Sequence, residues 1–354
     1  MKDLVELTAQ LVDIPSESFE ETAMAEWIEG YLSDLPWLEL TRVGDNVVAR
    51  SDRGRDQRVM LAGHIDTVPA HGNDTARVEG DVVWGLGSCD MKGGLAVMLA
   101  LAREHQTPAL DVTYVFYARE EVGATYSGLG ELYEHRPDLL VADAAILGEP
   151  TAGRFEAGCQ GSVRAEIRIK GRRAHTARPW RGRNAIHRLG DLLAALERYE
   201  PRRPEIGGCE YRESVQAVAI EGGVAGNVVP DLVTIRVVHR FAPDRSVREA
   251  EDALRDLIKA HLEPGDEFHV VDVALAAPPG LSHPLFHGLI ERSRLDVVAK
   301  LGWTDVARFA EHGVPAINFG PGDPLLAHTA EERVEREKLE GVYTVLEELL
   351  GEQR

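Results

Sequence analysis

The chain has 354 residues and a formal net charge of −20, which comes from 39 basic and 59 acidic side chains. This length favours two domains, and a composition that is 44% hydrophobic is sufficient for a sizeable core. The acidic excess argues against nucleic acid or an anionic membrane surface as the main partner. An anionic small molecule would therefore need a local basic patch in order to bind.

The cysteines and the N-terminal segment indicate the compartment. Cys89, Cys159 and Cys209 lie far apart and form no CxxC pair, which argues against a disulfide framework or a thiolate zinc site. The first residues lack the basic start and apolar core of a signal peptide. No apolar run approaches the roughly 20 residues of a membrane helix. We therefore expect a cytoplasmic protein that does not associate with a membrane.

The first part of the chain alternates amphipathic helices with short apolar strands. Apolar residues at helical spacing predict helices at 3–13, 20–34 and 94–105. Short β-branched runs predict strands at 46–51, 58–63, 111–118 and 143–147. Alternation of this kind is typical of an α/β layer.

A second pattern starts at residue 162, where polar and apolar residues alternate as in a strand with one wet face. The predicted elements are, in chain order, strand 162–171, helix 184–199, strands 214–223 and 232–241, helix 246–262 and strand 268–276. This β-α-β-β-α-β order is that of a ferredoxin-like unit.

The first pattern then resumes towards the end of the chain. The remaining predicted elements are helices 284–299, 304–312 and 331–350 and strand 315–319. We therefore predict an α/β protein in which a discontinuous catalytic domain, 1–162 and 277–354, carries an inserted α+β domain, 163–276.

Side chains that can bind metal ions stand where the apolar strands of the first pattern end. Four of them come within three residues of a predicted strand end: His64, Glu120, Glu121 and Glu149. In an open α/β sheet, ligands bind beyond the carboxyl ends of the strands, so these residues can converge on one rim.

Asp90 and His328 complete this set of metal-type ligands. Asp90 precedes the buried helix 94–105, and His328 lies between the last predicted strand and the last predicted helix. Taken alone, the first could be a helix-capping aspartate and the second a surface histidine. Taken together, the two histidines, Asp90, Glu149 and one glutamate of the pair Glu120 and Glu121 suit two divalent ions, and zinc, cobalt or manganese would fit. Such a pair of ions supports hydrolysis.

Asp66 and the pair Glu120 and Glu121 suggest roles beyond metal binding. Asp66 is two positions from His64, so on extended backbone it points the same way and can orient the imidazole. In the pair Glu120 and Glu121, one carboxylate can bind an ion while the other acts as a general base. The alternatives are a polar strand end for the first feature and a solvated acidic pair for the second.

Five segments of the chain resemble the aminoacylase and glutamate-carboxypeptidase group of dinuclear zinc hydrolases: GHIDTVP, GLGSCDMKGG, REEVG, LGEPT and AHTAEE. The matches occur in order, at fitting spacings, between about residues 5 and 345. The resemblance implies a mixed-sheet zinc-hydrolase domain with an inserted ferredoxin-like domain that serves as a lid and as the contact of a homodimer. Two segments of the insert, KGRRAHTARPWRGRNAIHR and GGVAGNVVPD, resemble the branch that removes succinate from N-succinyl-L,L-diaminopimelate.

The same resemblance implies roles for individual residues. His64 and Glu149 would bind one Zn²⁺, Glu121 and His328 would bind the other, and Asp90 would bridge them. Co²⁺ or Mn²⁺ could substitute for zinc.

The resemblance also implies which groups act on the substrate. Glu120 would be the general base, and Asp66 would support His64. His175 would reach the site of the partner subunit and steady the oxyanion, and Asn227 would contact the substrate.

Five arginines between residues 172 and 183 reverse the sign of the charge locally. Because arginine binds carboxylates bidentately, we predict that Arg178 and Arg240 bind substrate carboxylates, with Thr304 and Gly322 near the succinyl end. The other arginines of the segment have a solvated surface loop as the alternative.

Three other functions remain as alternatives. Within the family, a related deacylase or dipeptidase, such as an acetylornithine deacetylase, would share the same metal site. A binding protein without catalysis has no need of Glu120 beside the ions. A dimerisation protein with a structural metal would be expected to show a closed site, often rich in thiolates.

Overall fold

The computed structural model describes residues 3–351, which form two compact units. The first contains the described residues up to Gly158, Pro279–Val298, and the described residues from Arg308 onwards. The second contains Cys159–Pro278 and Ala299–Ala307, and the predicted insert boundaries fall within it. Across residues 3–351, no helix has the length and apolar character needed to cross a membrane.

A mixed eight-stranded sheet forms the centre of the first unit. Its strands, in spatial order, are β1 (Glu39–Val43), β2 (Asn46–Arg50), β6 (Asp111–Tyr117), β3 (Arg58–His64), β7 (Ala144–Leu147), β18 (Ala316–Asn318), β8 (Phe155–Ala157) and β17 (Val297–Ala299). Strands β6, β3, β7 and β18 are parallel to one another. Their carboxyl ends therefore meet at one rim of the sheet.

Helices and a small second sheet complete this part of the chain. The helices are α1 (Leu4–Val12), α2 (Thr22–Leu32), α3 (Gly93–Glu104), α4 (Gly128–His135), α7 (Pro284–Ser293), α8 (Val306–Glu311) and α9 (Arg336–Leu350). The second sheet is made of β4 (Arg77–Glu79), β5 (Val82–Trp84) and β19 (Arg333–Glu335). Ten of the twelve residues of α3 are buried, as expected from its uniformly apolar sequence.

The second unit is built on a four-stranded antiparallel sheet. Its main elements are β9 (Gly161–Lys170), α5 (Leu189–Glu197), β13 (Ser214–Gly222), β15 (Leu232–Phe241), α6 (Val247–Lys259) and β16 (Glu267–Ala274). Short strand pairs add β10 (Ala174–His175) with β14 (Val228–Val229) and β11 (Glu205–Ile206) with β12 (Cys209–Glu210). The spatial order β13-β15-β9-β16, with two helices in the order of the chain, is the ferredoxin-like arrangement.

Alternating side chains of this sheet form the core of the second unit. Along β9 the apolar residues Val163, Ala165, Ile167 and Ile169 are buried, whereas the polar residues between them are largely exposed. Helix α6 begins with a capping box between Ser246 and Glu249, which satisfies two orphan backbone donors.

Three helix predictions were wrong at one end. The helix predicted at 284–299 stops at Ser293, because Arg294 takes a left-handed conformation (φ 56°), and a strand follows. The helix predicted at 331–350 starts only at Arg336, since the preceding residues form β19 and pair with β5. The helix predicted at 184–199 begins at Leu189, after a turn in which the side chain of Asn184 accepts a backbone N–H.

Candidate metal centre

The parallel strands bring the predicted ligands of the first unit to one rim. His64 is the last residue of β3. Glu120 and Glu121 follow β6, and Glu149 follows β7. Since β3 pairs with both of these strands, residues that are far apart in sequence become neighbours.

Asp90 lies between two histidines at this rim. Its Oδ1 is 3.1 Å from His64 Nε2, and its Oδ2 is 3.6 Å from His328 Nε2. His328 Nε2 also lies 2.8 Å from Glu121 Oε1. One carboxylate oxygen therefore faces each imidazole, which is the arrangement that a bridging carboxylate requires.

Three of the five predicted ligands form a tight group. Single ligand atoms of His64, Asp90 and Glu121 all lie within 4.8 Å of one another, and His328 joins them through the two contacts above. Glu149 is buried, with 5% of its surface exposed. It stands two residues beyond Leu147, the residue of β7 that pairs with Ala62 of β3.

Asp66 organises the main chain around this group. Its Oδ1 and Oδ2 accept the backbone N–H groups of Glu120 (3.0 Å) and Glu121 (3.1 Å) respectively. Its backbone oxygen lies 3.0 Å from Nδ1 of His64. A proton on Nδ1 would therefore be held by Asp66, which leaves Nε2 as the nitrogen that can bind an ion.

The two histidines experience strong negative potential. Burial lowers the pKa of His64, but hydrogen bonds to Asp66 and Asp90, with the charges of Asp90 and Glu120, raise it well above its ordinary value. The hydrogen bond to Glu121 raises the pKa of His328 to about 9, against the effect of burial and with help from the charges of Glu121 and Asp90. A site with this excess of carboxylate charge suits divalent cations.

The chemistry of the donors also fits such ions. Imidazole and carboxylate ligands suit zinc, and carboxylates accept cobalt and manganese as well. The nearby thiol of Cys89 does not compete: it is buried, it donates to the backbone oxygen of Asp323 (3.0 Å), and burial and the charge of Asp90 raise its pKa. The residues present therefore fit a pair of divalent ions.

Three residues near the centre were not identified from the sequence. The hydroxyl of Ser18 donates to Asp66 Oδ2 (2.7 Å). The buried carboxylate of Glu21 accepts the N–H of Arg119 (3.1 Å), which has a left-handed backbone (φ 61°) immediately before Glu120. The buried carboxylate of Glu332 accepts the N–H of Asp90. Since these contacts join distant segments, the sequence offers no local signal for them except that Glu332 follows His328 by one helical turn.

The structure brings together three of the residues predicted in the second unit. His175 pairs with Val228 across β10 and β14, and the backbone oxygen of Asn227 accepts the N–H of Thr176 (3.0 Å). The N–H of Arg178 donates to the backbone oxygen of His175 (2.8 Å). His175, Arg178 and Asn227 are all exposed, so their side chains are available to a ligand.

The remaining predicted substrate contacts are less exposed. Arg240 lies on β15 opposite Ser162 and Ser214, and burial and the charge of Arg164 lower its pKa. Thr304 is buried in the second unit, where its backbone oxygen is 3.7 Å from Sγ of Cys159. Gly322, in the first unit, packs against Cys89 so closely that a Cβ atom would clash with it.

Two arginines of the basic segment have structural partners. Arg173 forms an ion pair with Asp231 (2.9 Å), and Arg183 pairs with Glu263. These two ion pairs agree with the alternative of a solvated surface loop, whereas Arg178 lies beside His175.

Comparison with known proteins identifies the family. The profile of Peptidase family M20/M25/M40 matches residues 60–352. A Mycobacterium tuberculosis protein named as a succinyl-diaminopimelate desuccinylase, DapE, is 47% identical over 350 residues, covering 99% of this chain and 98% of that protein. The succinyl-diaminopimelate desuccinylase of Corynebacterium glutamicum is 43% identical, with coverages of 99% and 96%.

Solved structures agree on the fold. A tripeptidase from Staphylococcus aureus superposes with a TM-score of 0.81 at 21% identity, covering 99% of this chain and 97% of that one. The Bacillus subtilis protein YxeP, described as a dinuclear metal-binding peptidase of family M20, gives a TM-score of 0.70 at 18% identity, with coverages of 98% and 96%. The profile match and the relatives at 43–47% identity show that the chain belongs to Peptidase family M20/M25/M40.

Proposed function

We propose that this protein is a metal-dependent amide hydrolase that releases succinate from N-succinyl-L,L-diaminopimelate, on the route to lysine and diaminopimelate. The observation that carries the proposal is the placement of Asp90 between His64 and His328, with Glu120 held beside them by Asp66. We infer the substrate from the names of two relatives, which are 43–47% identical over nearly the whole chain.

Five side chains would hold two Zn²⁺ ions in this proposal. His64 and Glu149 would bind one ion, Glu121 and His328 would bind the second, and Asp90 would contact both. When bound, the ions lower the pKa of a water molecule and polarise the scissile carbonyl. The donor set also accepts Co²⁺ or Mn²⁺.

Glu120 moves the proton in this mechanism. Two observations support this role: the N–H of Glu120 donates to Asp66 Oδ1, and the charge of Glu120 contributes to the raised pKa of His64. Glu120 takes a proton from the attacking water and later delivers it to the nitrogen of the leaving amine. General acid–base transfer of this kind contributes about 100- to 10,000-fold to a rate.

His175 is proposed to stabilise the oxyanion. Its Nδ1 accepts the N–H of Ala177 (3.0 Å), so the neutral imidazole carries its proton on Nε2 and can donate it. We infer that this donor acts in the site of a partner subunit. The open-edge strand β13, with Val218 60% and Ile220 49% exposed, supports a homodimer formed through the second unit.

Positive side chains of the second unit are proposed to bind the carboxylates of the substrate. Arg178 is exposed beside His175, and Asn227 lies on the adjacent strand end. Arg240 is partly buried, so water and salt would screen its attraction to a carboxylate less than that of an exposed arginine. Thr304 and Gly322 are assigned to the succinyl end.

A cytoplasmic location accompanies this proposal. The three cysteines are all free and buried, as expected of a protein made in a reducing compartment.

The proposal is tested by comparing substrates on the purified, zinc-loaded protein. Hydrolysis of N-succinyl-L,L-diaminopimelate should exceed that of N-acetylornithine and of simple dipeptides in kcat/KM. A preference for either of the other substrates would replace the desuccinylase with a different hydrolase of the same family.

A further inference from the structure

The segment that carries Asp90 depends on a distant residue for two of its backbone hydrogen bonds. Residues Ser88–Lys92 form an irregular turn in which Asp90 has non-helical angles (φ −123°, ψ 94°). The N–H groups of Cys89 and Asp90 both point to one acceptor, Glu332 Oε1, at 3.1 and 3.0 Å. Because buried backbone donors need an acceptor, this carboxylate fixes the main chain at the predicted bridging ligand.

Glu332 also belongs to the segment that carries His328. Its own N–H donates to the backbone oxygen of Thr329 (3.3 Å), and its backbone oxygen accepts the N–H of Gly85 (3.0 Å). His328 has a left-handed backbone (φ 62°), so the chain turns sharply just before this contact. Glu332 therefore joins the two segments whose side chains meet at Asp90 Oδ2 and His328 Nε2.

Burial of the Glu332 carboxylate is unfavourable for the stability of the fold. Glu332 is 1% exposed, and its Oε2 has no hydrogen-bond partner among residues 3–351. Burying a carboxylate costs free energy that two neutral N–H donors repay only in part. We attribute the burial of this carboxylate, despite its cost, to its effect on the neighbouring candidate metal centre.

We propose that Glu332 is a positioning residue for the metal centre: it sets the place of the Asp90 carboxylate relative to His328, and so the affinity for the bridged ions. The inference rests on the proposed function, since it assumes that Asp90 binds metal. It assigns the effect to the reach of the side chain as a hydrogen-bond acceptor and not to its charge.

Two substitutions separate reach from charge. Glu332→Gln keeps an acceptor oxygen at the same distance but removes the charge. Glu332→Asp keeps the charge but withdraws the acceptor by about 1.5 Å, the length of one carbon–carbon bond. Glu331→Asp, at an exposed neighbouring position, is the matched control.

The experiment measures Zn²⁺ affinity by competition with a chromophoric chelator, together with the visible spectrum of the Co²⁺-loaded proteins. Partners in the outer sphere of a metal site change affinity by roughly 10- to 100-fold. Glu332→Asp should lose affinity by about this factor and show an altered Co²⁺ spectrum. Glu332→Gln and Glu331→Asp should stay close to wild type in both measurements.

Each result decides a different point. Wild-type affinity and spectrum in Glu332→Asp would overturn the inference. A loss in Glu332→Gln as large as that in Glu332→Asp would show that an acceptor oxygen at the same distance is not sufficient, and would overturn the inference as well. Thermal unfolding of the metal-free variants checks that each one folds. If the wild-type protein itself binds no Zn²⁺, the proposed function fails, which is a result distinct from a failure of the role of Glu332.

Discussion

His328 and Glu121 lie 207 positions apart in the chain, yet His328 Nε2 is 2.8 Å from Glu121 Oε1. The contact joins the loop after β6 to the loop after β18, and both loops leave the same rim of the mixed sheet. The fold thereby brings two polar residues that are far apart in sequence close enough to bind one ion, as proposed.

Replacing Glu120 should mainly lower the rate of catalysis, whereas replacing Glu121 should mainly weaken metal binding. The backbones of both residues are held by Asp66, and the side chain of Glu121 also lies 2.8 Å from Nε2 of His328. Glu120→Gln should lower kcat by about 100- to 10,000-fold, because it removes the general base, while two equivalents of Zn²⁺ remain bound. Glu121→Gln should instead lose bound metal. Metal analysis after dialysis, together with kcat, distinguishes the two, and full turnover by zinc-loaded Glu120→Gln would remove the general-base assignment.

Mixing two inactive variants should restore activity if His175 acts in the partner subunit. In a mixed dimer of His175→Ala and Glu120→Gln, one of the two sites receives an intact base and an intact histidine. After subunit exchange, activity should reach up to about a quarter of wild type, as random pairing of subunits in a two-fold dimer requires. A mixture that stays inactive, although sizing confirms exchange, would place the action of His175 within its own subunit.

Arg178 and Arg181 form a matched pair in the basic segment, since both are exposed but only Arg178 donates its N–H to His175. Arg178→Ala should lower kcat/KM about 10- to 100-fold, because a charged hydrogen bond contributes about 1.5–3 kcal/mol. The bound zinc should be unchanged. Arg181→Ala should behave like wild type. Kinetics on N-succinyl-L,L-diaminopimelate check both, and equal effects of the two substitutions would indicate general electrostatics and not a specific contact.

Two helical glycines should respond in opposite directions to alanine. A Cβ at Gly94 would clash with the backbone oxygen of Gly148, whereas a Cβ at Gly30 meets nothing within 4 Å. Gly94→Ala should therefore lower the free energy of unfolding by about 1–3 kcal/mol, as overpacking does. Gly30→Ala should raise it by up to about 1 kcal/mol through helix propensity. Urea unfolding measures both, and a neutral Gly94→Ala would mean that α3 does not approach β7 this closely.

Glu213 should make the stability of the second unit depend on pH. Burial raises the pKa of Glu213, but His239, the N–H of Ala242, Arg245 and Arg202 outweigh burial and lower it below its ordinary value of 4.5. A lowered pKa in the folded state stabilises the protein above the pKa of the unfolded chain. That contribution is lost as the pH falls through the folded value.

Glu213→Gln should thus be less stable than wild type at pH 7, by about 1–3 kcal/mol from weakened hydrogen bonds. The difference should shrink once the pH falls below the ordinary value of 4.5. Urea unfolding across this range checks the trend, with Glu205→Gln, at an exposed position, as control. A constant difference at all pH values would contradict the role of charge.

Much of the fold could be predicted because its signals are local. The apolar runs that become β3, β6 and β7 determine where His64, Glu120 and Glu149 stand. In the same way, the alternation of polar and apolar residues predicts the strands of the second unit.

Other features depend on contacts between distant segments. The helices predicted at 284–299 and 331–350 include Val297–Ala299 and Arg333–Glu335, which are strands, because three residues are too few for periodicity to separate helix from strand. The pairing of β19 with β5 decided the second case. The contact of Glu332 with Asp90 spans 242 positions, and no spacing rule predicts such a hydrogen bond.

The central claim is that a pair of divalent ions, held by side chains from across the chain, makes water attack the succinyl amide. The most direct test is to remove metal with a chelator, confirm its absence, and titrate Zn²⁺ back while following hydrolysis of N-succinyl-L,L-diaminopimelate. The account predicts no turnover in the metal-free protein and recovery that is complete at two equivalents. Undiminished turnover by the metal-free protein would contradict it.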